Sequence, residues 1–118
     1  MAFPSRVQGS GQSGGSAQAI CGDVAAALTA TGSSATDALQ LSAAINRVST
    51  TAASTGVKLP TAETGAMVMV RNDGANTLTV YPATGSTING SASNTIAAGK
   101  ADLYFGTGTT TWVTLDGA

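Results

Sequence analysis

The chain has 118 residues, about one domain's worth, with five basic and six acidic residues and a formal net charge of −1. Only 9% of residues are charged, against about 25% in an ordinary domain, and the cations Arg6, Arg47, Lys58, Arg71 and Lys100 are scattered. No cluster can neutralise a row of phosphates, so nucleic acid is not an expected partner; the absence of histidine excludes a Ser-His-Asp triad and histidine ligation of zinc.

Residues 5–19, SRVQGSGQSGGSAQA, hold too little apolar surface to order themselves, which predicts a flexible N-terminal arm over residues 1–22. Gly9, Gly11 and Gly14 match G-x-G-x-x-G, but no strand precedes them and no helix follows, so no dinucleotide site is expected. The opening Met-Ala-Phe-Pro-Ser-Arg lacks the regions of a signal peptide, and no apolar run approaches the ~18 residues of a membrane span. Synthesis in the cytoplasm and no membrane partner are expected. Cys21 is the only cysteine, so no internal disulfide can form.

The β domain is expected to occupy residues 23–118. Ala25, Ala26, Ala27 and Leu28 favour a short helix or turn at 22–27, and Thr29 to Gly32 a strand end and turn. Leu39, Leu41, Ala43 and Ile45 alternate with Gln40, Ser42 and Ala44, which predicts one half-buried strand through 37–52, closed by a turn at Gly56 and a stop at Pro60. In 65–72, Val68 and Val70 face one way and Met67, Met69 and Arg71 the other. With both faces apolar, this is expected to be a central strand or one whose second face meets another subunit. Residues 77–82 follow as a strand with Leu78 and Val80 inward and Thr79 and Tyr81 outward, joined to its predecessor as a hairpin through Asp73 to Asn76.

Ile88 and Ile96 are single anchors between turns at Asn89-Gly90 and Ala98-Gly99. Residues 100–106 set Ala101, Leu103 and Phe105 against Asp102 and Tyr104. Residues 109–115 set Val113 and Leu115 against Trp112 and Thr114, and Gly106 to Gly108 turn between the two runs. Short strands with turns every ~8–12 residues predict an all-β fold, drawn as a small antiparallel β-sandwich or jelly-roll-like barrel.

Chemistry finds little to work with. The acids Asp23, Asp37, Glu63, Asp73, Asp102 and Asp116 lie apart, mostly where turns and caps want them, so neither an enzyme nor a cofactor or metal site is expected. Asn72, Asp73 and Asn76 could offer oxygens to calcium, but the spacing suits an Asx turn better. Hydrophobic residues make up 42% of the chain and aromatics only 4%, so a lone subunit would be marginal and a homo-oligomer is expected. A surface so poor in charge suits a protein covered by partners. The candidate contact residues are Met67, Met69, Thr79 and Tyr81, with Tyr104 and Trp112 as aromatic anchors or, alternatively, a sugar-stacking platform.

Gly56-Val-Lys-Leu-Pro60, Arg71-Asn-Asp-Gly74, Tyr81-Pro82, Ile88-Asn-Gly90, Ile96-Ala-Ala-Gly99 and the strand containing Trp112 follow one another in an order that resembles a β-structured module of tailed-phage virion proteins. The likeness spans about residues 28–115. It implies a location in the virion, a trimer, and a major capsid protein as partner, with the chain acting as a capsid decoration or cement protein. A tail, collar or fibre component with a trimeric β module is the alternative within that likeness, and a carbohydrate-binding module is the alternative outside it.

Overall fold

The computed structural model describes Gly11, Ser13 and residues 22–115. The arm expected over 1–22 lies almost wholly outside them, as do Arg6, Cys21 and Asp116. The described residues are all-β, with no helix: β1 (Val24–Thr29), β2 (Leu39–Gln40), β3 (Ile45–Thr50), β4 (Gly56–Lys58), β5 (Met67–Asn72), β6 (Leu78–Tyr81), β7 (Thr87–Ile88), β8 (Asn94–Ile96), β9 (Ala101–Gly106) and β10 (Thr111–Leu115).

Two sheets share one core. The larger runs β1-β3-β5-β9-β10-β7 and the smaller β2-β4-β6-β8. Through β6 the strands alternate between them: β1, β3 and β5 pair in parallel in the larger sheet, and β2, β4 and β6 in parallel in the smaller. The chain therefore winds around the core, one strand to each sheet per turn. It then reverses. β8 lies antiparallel to β6, β9 antiparallel to β5, and β10 returns on β9 as a hairpin with β7 beside it. Between the sheets lie Val48, Val70, Tyr104 and Trp112 from one side and Val57, Leu78, Val80 and Ile96 from the other, all in one cluster.

This winding corrects four sequence expectations. Residues 24–29 are a strand, because the ladder to β3 outweighs the small helix preference of alanine; Ala27, at φ 59°, marks a break in register. Residues 37–52 are two strands in different sheets, with Leu41 and Ala43 buried at the corner between them. Gly56 lies inside β4, where a Cβ would sit 2.7 Å from the Thr79 carbonyl oxygen and 2.7 Å from Tyr81 Cε2. The hairpin expected between β5 and β6 does not form, because both edges of β5 are occupied, by β3 and β9. The antiparallel pattern expected of a sandwich or jelly roll accordingly holds only for β8 on β6, β9 on β5 and β10 on β9, while β7 runs parallel to β10.

Other expectations meet the structure. β5 is central, β9 and β10 form the hairpin around Gly106 to Gly108, and Ile88 and Ile96 are buried. Asn89 and Gly90, at φ 52° and 78°, sit within reciprocal Ile88–Ser91 backbone bonds, as a type I′ turn requires.

Candidate functional site

Strand register sorts the side chains of the larger sheet. In each strand the residues opposite one another point to the same side. Val24, Ile45, Met69, Leu103 and Leu115 form one row across β1, β3, β5, β9 and β10. Met67, Phe105 and Val113 form the next row. Both rows point away from the core, since Val68, Val70, Tyr104 and Trp112 take the inner positions between them. The large exposed hydrophobics among the described residues are Val24 (62% exposed), Met67 (51%), Val113 (38%) and Leu115 (64%), and all four stand on this face. It spans four strand spacings, roughly 19 Å. A flat apolar patch of this kind marks a contact surface.

Charge borders it at one end. Beyond Met69 on the same face come Arg47 and Arg71, neighbours across β3 and β5. Asp73 ties them together, accepting from Arg47 Nε at 2.9 Å and Arg71 Nε at 2.6 Å. The Arg47 hydrogen bond first, and the Arg71 bond next, hold the Asp73 carboxyl below its ordinary value of 3.8. Both carboxylate oxygens are thereby engaged by guanidinium groups. Asp23, level with Val68, precedes β1, and Glu63 lies in the turn before β5 with its backbone on the core side of Gly106; both residues are exposed. Asp23 Oδ1 accepts from the Ala44 amide at 2.9 Å.

The six candidate residues fall in three places. Met67 and Met69 are on the apolar face. Thr79 and Tyr81 are on the outer face of the smaller sheet, which is polar: in register it carries Thr79 beside Thr95 and Tyr81 beside Lys58 and Gln40. Tyr81 is tied there by its hydroxyl, which donates to the Ser33 carbonyl at 3.1 Å. Tyr104 and Trp112 are in the core at 0% and 1% exposure, so they offer neither a contact surface nor a sugar platform; as the bulkiest side chains of their strands they take the inner face and turn Leu103, Phe105, Val113 and Leu115 outward. Those four, with Val24 and Ile45, are the members of the face that the sequence candidates omit. The signal was present in the sequence, because both strands carry apolar residues on both sides, just as β5 does.

Asn72 is a scaffold and not a site. It is buried, and its amide spends four hydrogen bonds on the corner: Nδ2 donates to the Asn76 and Ile96 carbonyls at 2.7 and 2.9 Å, and Oδ1 accepts from Thr51 Oγ1 and the Gly74 amide at 2.8 and 3.0 Å. The bond from Gly74 is the expected Asx turn; it passes the chain from one sheet to the other. Among the described residues no three Cys, Asp or Glu gather where they could hold a metal. In the comparisons with known proteins, the chain matches no family model, no curated protein and no solved structure.

Proposed function

We propose that the chain is a structural virion protein: a capsid decoration, or cement, protein that covers the outer surface of a phage head and stabilises the shell, with the major capsid protein as partner. The observation that carries this reading is the outer face of the larger sheet, where every large exposed apolar side chain of the described residues is collected. The scarcity of charge and the resemblance of residues 28–115 to a tailed-phage module support it. The mechanism is mechanical. A subunit whose contact faces are satisfied only by neighbours in the assembled shell stabilises that state by mass action. The finer architecture proposed is a short β-solenoid closed by a reversed hairpin, in place of the jelly roll expected from the strand count.

A second reading, a tail or fibre component, is favoured by the parallel winding of β1, β3 and β5, since coils of this kind stack axially into rods. Copy number separates the two. Quantitative protein analysis of purified particles is expected to give hundreds of chains per virion; a few dozen or fewer would favour the tail and count against the shell. Added to heads that lack it, the chain is expected to saturate their surface and raise their temperature of disruption. Heads left unchanged would refute the cement role. Deleting residues 1–20 is expected to weaken that attachment.

A further inference from the structure

The winding leaves one end of the coil open. β1 and β2 form its first turn, and each is the outermost strand of its sheet. Neither carries a charge or a proline to guard its free edge. The core is unfinished at the same end. Leu28 is level with Val48, and Leu39 with Val57, one turn further on. Val48 and Val57 are wholly buried, whereas Leu28 and Leu39 are only partly so, since among the described residues no strand lies beyond β1 or β2.

The chain enters β1 over a corner of the coil. Ala44 lies in the corner between β2 and β3, and its carbonyl accepts from the Met69 amide of β5 at 2.8 Å. Gly22 and Asp23 stack on it from the other side. A Cβ on Gly22 would stand 3.6 Å from that of Ala44, and Asp23 Oδ1 accepts from the Ala44 amide at 2.9 Å. Residues 22–23 thus repeat the corner that carries the chain from the smaller sheet to the larger. One turn takes 21 residues from Val24 to Ile45 and 24 from Ile45 to Met69, so residues 1–21 are one turn's length. Set 21 residues back from the first turn, Val7 corresponds to Leu28 and Ile20 to the buried Leu41. The Gly, Ser and Gln between them suit an outermost turn, whose far side meets water.

We propose that residues 5–21, which lie outside the described residues, dock on this open end of their own chain as one further turn, with 5–8 along the edge of β1 and 18–20 along the edge of β2. Val7 then lies over Leu28 and Ile20 over Leu41, which closes the core. The segment is too poor in apolar residues to order alone, and β1 and β2 supply the template. Ala27 breaks the register of β1, so the two apolar seats hold the segment more than a long ladder does. A coil capped in this way presents no free edge for end-to-end stacking, so rods built through β1 are not expected. The inference goes beyond the virion reading and does not depend on it. It is tested on the isolated full chain, so its failure is separable from failure to attach to heads.

Amide hydrogen exchange, read residue by residue by NMR, is the experiment. Residues 5–8 and 18–20 are expected to exchange about tenfold or more slowly than the same sequence in a free peptide. The slowing is expected to be unchanged over about a hundredfold dilution, as docking within one chain requires. Val7→Asp and Ile20→Asp are each expected to abolish it in both stretches and to quicken exchange in β1, with β5 and β9 as slow as before. Gln12→Asp, in the run between the two seats, is expected to leave the slowing intact. Peptide-like exchange at 5–8 and 18–20 overturns the proposal. So does slowing that fades on dilution, since the occupant is then a second copy. Slowing that persists in both Val7→Asp and Ile20→Asp overturns it as well.

Discussion

At the scale of single residues, the polar groups that look most like chemistry are spent on the fold. Removing the Asn72 side chain leaves buried partners at Thr51 and Ile96, each costing about 1–3 kcal/mol when unpaired, and a half-buried one at Gly74. Asn72→Ala is therefore expected to lower unfolding stability by roughly 3 kcal/mol in urea titration, and a loss below ~1 kcal/mol would contradict the role given to that corner. Trp112 fills the core, so Trp112→Ala is expected to cost about 3–5 kcal/mol by the same measurement, whereas a surface ring would cost almost nothing. Asp73 and Asp37 are both held below the ordinary value of 3.8, the first chiefly by Arg47 and the second chiefly by the Ser34 backbone amide. A depressed carboxyl contributes stability above its unfolded pKa and loses it as pH falls through the folded one. Thermal midpoints are thus expected to decline on acidification from about pH 4 downward, with a shallower decline in Asp73→Asn; an unchanged slope in that variant would remove Asp73 from the account.

Elements show where reading the sequence succeeds and where it stops. Alternation marked β5, β6, β9 and β10 because each spends several residues on one pleated surface, and Asn89-Gly90 declared its turn because both positions need positive φ. Period two carries no information about which sheet a strand joins. Leu39 to Ile45 kept its alternation straight through a corner, so two strands looked like one. Val70 and Leu78 looked like hairpin partners because a short turn joins them, while the pairing that decided the matter, β5 with β3 and β9, is long-range. Glycine's preference for turns predicts one at Gly56; its reason in the fold is the close approach of Thr79 and Tyr81 from β6. Gly56→Ala must push β4 from β6 and is expected to destabilise by about 1–3 kcal/mol. Gly90→Ala is strained only by its positive φ, with nothing nearby to meet the new Cβ, and is expected to cost about 1 kcal/mol. Equal effects in the two variants would contradict the close-packing reason given for Gly56.

On the scale of the whole molecule, two sheets that share a core have unlike outer faces. The smaller sheet turns out Gln40, Lys58, Thr79, Tyr81 and Thr95, which water satisfies. The larger turns out methionine, leucine, valine and phenylalanine, which water does not. The sequence pattern already gave β5 two apolar faces and so pointed to a partner. β9 and β10 carry apolar residues on both sides as well, but that they and β1 extend the same face depends on register across the sheet. The role proposed for this face requires it to be covered in a virus particle. A subunit-resolution image of the intact virion is the direct test: hundreds of copies are expected on the outer head surface, with Met67, Val113 and Leu115 buried against protein. Copies confined to the tail, or head-bound copies whose larger sheet stands open to solvent, would contradict it.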